Sequence, residues 1–162
     1  MPAVAASLDP SQSNDATAPL GADEDASTDS LQNLVSDWEE APLDSEARCL
    51  AAAIFFESRS ESLEGQLAVA NVVLARAHSG AFPSSICGVL MQRGQFGFVR
   101  RGRIPAIPTS RPAWRTAQAI AQIAMDGSWR SEAANALYFH SAASPFPGHE
   151  EVAQIGNHVF YR

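Results

Sequence analysis

Lysine is absent from this 162-residue chain, and its first 46 residues hold no basic side chain of any kind. They carry eleven acidic residues, whereas residues 47–162 carry seven acids and eleven arginines. The formal charge of −7 therefore divides into −11 and +4. No apolar run approaches the ~18 residues of a membrane span. Cysteine is scarce: Cys49 and Cys87 are too few for a disulfide framework and are not spaced as a metal knuckle. One bridge in an exported protein and two buried thiols fit them equally well. The arginine excess would suit a polyanionic partner, but no nucleic-acid module is visible, and scattered arginines ordinarily form a solvated face.

What is present falls into two parts. Residues 1–42 are rich in Asp, Ser, Ala and Pro, with few large apolar side chains to offset the entropy of ordering. They read as an acidic, disordered leader or linker with one short helical stretch at residues 31–38, where Trp38 offers a docking anchor. Ala3 and Ala5 resemble the small-residue end of a signal peptide. That feature suggests a native leader removed and replaced by Met1, and a periplasmic or secreted protein. Residues 43–162 are long enough for one core of ordinary size.

In that second part, Asp44 or Ser45 caps a first helix running to about Arg59. Ser62 caps a second, whose Leu63, Leu67, Ala70, Val73 and Ala77 recur at helical spacing until Ser79-Gly80. Residues 84–91 make one or two helical turns. Residues 95–99 alternate as a short strand, and residues 100–109 form a surface loop. Ser110 caps a long helix that stops at Gly127, with Pro112 tolerated in its first turn. Residues 137–140 and 154–161 read as strands, the latter interrupted at Gly156, with a loop over 141–151. Helices followed by short strands predict an α+β domain with a small antiparallel sheet.

Glu57 carries the chemistry. Leu50, Ala53, Ile54 and Glu57 share one helical face, which puts a carboxylate on the stripe that should meet the core. Taking an ionised carboxylate out of water is costly, so its pKa rises and it can serve as a general acid. Glu61, one turn later, and Glu64 would add like charge. The competing reading pairs Glu57 with Arg59 at a helix end. A metal site of His140, His149 and His158 has regular spacing but matches no common zinc pattern. A cysteine nucleophile is disfavoured by the apolar surroundings of Cys49 and Cys87.

The runs LAAAIFFESRSESLEGQLAVANVVLARAHSGAFPSSICGVL, QFGF, ALYFH and IGNHVFYR resemble the SleB-type cell-wall hydrolases, the spore-cortex-lytic family and its relatives in non-sporulating bacteria. The resemblance covers about residues 47–162. It implies a lysozyme-like catalytic lobe acting on peptidoglycan glycan strands; no cofactor and no metal are expected from the residues. The bond cut would be the β-1,4 link between N-acetylmuramic acid and N-acetylglucosamine, broken in the manner of a lytic transglycosylase. Glu57 matches the catalytic glutamate that heads the family's E-A-R-G-E motif, here Glu57-Ser58-Arg59-Ser60-Glu61. Gln66 and Asn71 match polar positions of its second helix, Gln95 and Phe96 its Q-F strand, and Asn157 and His158 its closing segment. Glu61, Gln95, Phe96, Tyr138, His140 and Asn157 are the expected substrate-binding residues, with core packing the alternative for Phe96 and Tyr138. If Glu61 or Glu64 reaches the far face of the sugar, hydrolysis by a positioned water becomes the favoured route. Some relatives carry two further cysteines at the positions of Gly94 and Arg100. Their joint absence implies that Cys49 pairs with Cys87. An activating protein partner is compatible with this family, and the rival classes are a non-catalytic peptidoglycan-binding module and a hydrolytic muramidase or amidase.

Overall fold

The computed structural model describes residues 22–144 and 146–162; the signal-like stretch at residues 2–7 lies outside them. Five helices precede three strands: α1 (Ala22–Trp38), α2 (Ser45–Ser58), α3 (Leu63–Ser79), α4 (Ile86–Met91), α5 (Pro112–Asp126), β1 (Tyr138–Ser141), β2 (Glu151–Ile155) and β3 (His158–Tyr161). The α+β expectation holds.

α2 is the central helix. Asp44 caps it by accepting the Ala47 N–H at 2.8 Å. Leu50, Ala51, Ala53 and Ile54 are inaccessible to solvent. Four of its residues between 47 and 53 are alanine, which lets α3 and α5 approach closely on two sides. α3 is apolar nearly all round for a matching reason. Leu67, Ala70 and Val73 join the main core, while Ala68, Val69 and Val72 pack with Phe160 beneath the sheet. Ser62 caps α3 through the Gly65 N–H, and Gly80 ends it at φ 80°. α5 starts at Pro112 after Arg111, with no side-chain cap, so the expected Ser110 cap is not used.

Three segments differ from their sequence patterns. Residues 31–38 are the end of a helix that begins at Ala22, and this helix docks rather than trailing in solvent. Leu31 and Val35 are buried against the main core, and Leu34 and Trp38 pack beside them. Two turns of apolar contacts offset the ordering cost that the acidic composition suggested, and Trp38 is used internally. Residues 95–99 form turns, not a strand: Gln95 N–H bonds Gln92 O, and Val99 N–H bonds Phe96 O. Their alternation arises because Phe96 and Phe98 both turn inward, with Phe98 stacked on Phe56 at 4.7 Å. Residues 154–161 are parts of two strands joined at Gly156-Asn157, a glycine-bearing pair suited to a two-residue hairpin. The sheet is antiparallel in the order β1-β3-β2, with Tyr138 opposite Tyr161 and Ile155 opposite His158.

α4 is fastened to the start of α2 twice. Cys49 and Cys87 form a disulfide, and Glu46 accepts the Ile86 N–H at 2.6 Å. The bridge joins residues 38 apart; closing a loop of that size stabilises the fold by about 4 kcal/mol in the chain-entropy description. Replacing both cysteines by alanine is expected to lower the unfolding free energy by about 2–4 kcal/mol in urea titrations. Added reductant should then shift the midpoint of the wild type but not that of the variant.

Candidate active site

Glu57 sits at the C-terminal end of the buried stripe of α2, half-buried, at the mouth of a pocket of about 420 Å³. Arg76 of α3 lines it, and three other elements build the walls. The turn after α4 supplies Gly94, Gln95, Phe96 and Gly97; the edge strand β1 supplies Tyr138, Phe139 and His140; and the β1–β2 loop supplies Phe146. Glu57, Gln95, Phe96, Tyr138 and His140 thus come together as expected. Burial alone pushes the Glu57 carboxyl above its ordinary 4.5. Among the described residues no hydrogen bond or ion pair engages that carboxyl, and Arg59, its proposed partner, turns away. The Arg59 guanidinium donates to Phe55 O at 3.3 Å and lies 5.0 Å from the centre of the Phe55 ring. Gln95 is exposed, so its amide is available to a ligand, whereas Phe96 is almost wholly packed into the core.

Glu61 and Asn157 are not brought to this pocket. α2 stops at Ser58, whose hydroxyl bonds back to Ile54 O, so Glu61 does not continue the Glu57 face. The Glu61 side chain is only 8% exposed. Its carboxylate accepts the Asn157 N–H at 3.2 and 3.4 Å and lies 3.7 Å from His158 Nδ1. A Cβ at Gly156 would collide with that carboxylate. Glu61 is therefore the clasp of the β2–β3 turn, and burial holds the His158 imidazole below its usual range while Glu61 opposes the shift. Glu64 accepts the indole N–H of Trp129 at 3.1 Å. Neither carboxylate contributes to the Glu57 shift, which corrects the like-charge expectation. Gln66 donates to Glu61 O at the helix junction, and Asn71 to Leu67 O within α3, and neither lines the pocket.

The histidines divide by sheet face. His158 shares a face with Phe139 and Phe160, while His140 lies on the other and stacks on Phe146 at 4.3 Å. His149 stacks on Phe146 as well, at 4.4 Å. Phe146 therefore lies between the His140 and His149 rings, and the three histidines do not converge. The sulfurs of Cys49 and Cys87 are joined to each other, so neither is a free nucleophile.

A model of cell wall hydrolases matches residues 60–161. The chain belongs to the cell wall hydrolase family. It is 37% identical over 117 residues to a spore cortex-lytic enzyme of Bacillus subtilis, a match covering 70% of this chain and 36% of that protein. A spore cortex-lytic enzyme of Oceanobacillus iheyensis is 32% identical over 115 residues, covering 68% and 39%. The chain thus spans less than two fifths of the length of these relatives. Its fold is similar to the catalytic domain of the germination-specific lytic transglycosylase SleB from Bacillus anthracis, with TM-score 0.62 and 29% identity over 76% of this chain and 98% of that one. The catalytic domain of Bacillus cereus SleB is similar too, at TM-score 0.60 and 29% identity over 75% and 94%. Glu57 lies just ahead of the family match, so its assignment rests on the pocket.

Of the pocket residues of this cell wall hydrolase that the sequence did not mark, Phe139 and Phe146 add aromatic lining and Arg76 adds a buried cation. Arg76 lies on the inward face of α3, one turn beyond Val72 and Val73, and is 5% exposed. Its Nε donates to Leu137 O at 2.7 Å, fixing the start of β1, and a terminal nitrogen donates to Gln95 Oε1 at 3.2 Å. The rings of Phe82, Phe96 and Tyr138 surround the guanidinium at 4.9–5.8 Å. Burial lowers its pKa, opposed by Tyr138. A cation on an otherwise apolar helical face was the available signal. Arg76 thus joins the Gln95 turn to the β1 edge. Arg76→Met keeps bulk but removes both charge-assisted bonds, and is expected to cost about 2 kcal/mol in urea unfolding.

Proposed function

We propose that this chain cleaves peptidoglycan glycan strands at the β-1,4 bond between N-acetylmuramic acid and N-acetylglucosamine, as a lytic transglycosylase with one catalytic carboxyl, Glu57. The observation that carries this reading is that Glu57 is the sole carboxylate among the residues lining the pocket, and it is desolvated and unpaired. Hydrolases that place a water or form a glycosyl-enzyme need a second carboxylate across the sugar. Here the two nearby candidates, Glu61 and Glu64, are engaged elsewhere. The solved relative described as a lytic transglycosylase supports the same chemistry.

In the first step the protonated Glu57 donates to the bridging oxygen as the C1–O bond of the muramic residue breaks. Positive charge then develops on C1 and the ring oxygen. In the second step the resulting carboxylate takes the proton of the muramic C6 hydroxyl while O6 bonds to C1. The acid is regenerated, no water is consumed, and the product ends in a 1,6-anhydro ring. The Gln95 amide and the His140 ring nitrogens supply hydrogen-bonding groups for N-acetyl and hydroxyl substituents. Tyr138 and Phe146 contribute aromatic surface beside them. The Cys49–Cys87 disulfide supports a periplasmic or secreted location, where such bridges persist.

Mass analysis of digested sacculi tests the route: anhydro-muramic ends are expected, and reducing ends would overturn it. Glu57→Gln is expected to lower the rate by about 10²–10⁴-fold, the usual contribution of a general acid. Because the donor is the protonated form, kcat/KM should fall as pH rises through the elevated pKa of Glu57, with the reverse dependence counting against an acid role.

A further inference from the structure

The Glu57 pocket runs into a second pocket of about 500 Å³, whose lining includes Met91, Gln92, Arg93, Val99 and Arg101. Gly94 and Phe96 line both, so the two adjoin, and together they outline a groove. Its far end is strongly basic. No acidic residue occurs between Glu64 and Asp126, and four arginines, Arg93, Arg100, Arg101 and Arg103, fall within residues 93–103. All four are exposed. Among the described residues none is in an ion pair.

One of them stands where the backbone disfavours it. Arg100 and Arg103 exchange both backbone hydrogen bonds at 3.0 Å, closing a two-residue hairpin. Its central residues, Arg101 and Gly102, have φ of 54° and 70°. Asn-Gly or Asp-Gly adopts such a turn at low cost, whereas a long side chain at the first position is strained. Arg101 is the only non-glycine residue with positive φ among the described residues. Strain held at a groove is evidence that the side chain is there for what it binds.

We infer that this basic end of the groove binds the free carboxylates of the peptide stem carried by muramic acid, with Arg101 and Arg93 as the principal contacts. It rests on the transglycosylase reading, which places a glycan strand along the groove. N-acetylated sugars are themselves neutral, so the anionic groups such a strand brings are the carboxylates of the peptide on its muramic lactyl ether. Guanidinium groups match carboxylates in two-point geometry and remain charged at any relevant pH. The chain would then prefer strands that still carry peptides over bare glycan.

The test uses the Glu57→Gln protein, whose arrested cleavage leaves binding to be measured alone. Three probes are compared: peptide-bearing glycan strands, strands stripped of peptide by an amidase with the lactyl carboxyl that this exposes then converted to an amide, and peptide-bearing strands whose stem carboxylates have been converted to amides. The peptide-bearing strands should bind about tenfold more tightly than the stripped ones, equivalent to about 1.4 kcal/mol. Amidated strands should behave as stripped ones. Arg101→Asn should reduce the ratio to near one with Tm equal to or above that of its parent, since Asn suits the left-handed φ. Arg93→Gln, outside the turn, should reduce the ratio as well. No preference in the parent, or a preference surviving both substitutions, overturns the inference, as does a lowered Tm for Arg101→Asn with an unchanged ratio. Failure of the wild type to cleave any strand would instead defeat the transglycosylase reading, and the binding ratio would still decide this one.

Discussion

The structure turns on one carboxyl group that is partly withdrawn from water and left without a partner. Glu57 ends a helix whose preceding turns, Leu50, Ala53 and Ile54, are sealed in the core. The helix therefore cannot rotate to release the side chain into bulk solvent without exposing that core. A carboxylate so placed has two ways of lowering its energy: finding a cation or keeping its proton. Arg59 is committed to Phe55, and Arg76 donates to Leu137 and Gln95, so burial shifts the equilibrium of Glu57 towards the protonated form. The raised pKa of this group is a consequence of packing, with no special neighbour required.

The remaining polar residues act as fasteners that hold separate elements around that group. Glu61 clasps the Gly156-Asn157 turn, and Arg76 ties the Gln95 turn to Leu137, the residue just ahead of β1. Glu46 and the disulfide secure α4, which leads into the pocket wall. Two helices, a turn and a sheet edge far apart in sequence are thereby held against one opening. Aromatic rings fill the space between them, Phe56 against Phe98 on one side and Phe146 between His140 and His149 on the other.

Much of this was legible in the residues. Helical periodicity and caps located α2 and α3 because their local chemistry and their tertiary environment agree: Asp44 and Ser62 cap the helices that the apolar spacing begins. The spacing also placed Glu57 on a buried face, which the structure bears out. Composition misled at the N-terminal side, where the few apolar residues of 31–38 are concentrated on a docking face that an average conceals. Alternation misled at 95–99, since inward-facing residues two apart arise from consecutive turns as well as from a strand. The roles of Glu61 and Arg76 were out of reach for a different reason. Each depends on partners 96 and 61 residues away, and no local pattern encodes which distant carbonyl or N–H a charged side chain will meet.

The central claim is a protonation equilibrium, and it can be observed directly. A carbon-detected NMR titration of the intact protein, with the Glu57 side-chain carboxyl resonance assigned by its absence from the Glu57→Gln spectrum, reports the pKa of that one group. A midpoint clearly above 4.5, the ordinary value from which burial displaces it, is the predicted result. A midpoint at or below that value would mean that solvent or a cation reaches the carboxylate, and would contradict Glu57 as the proton donor.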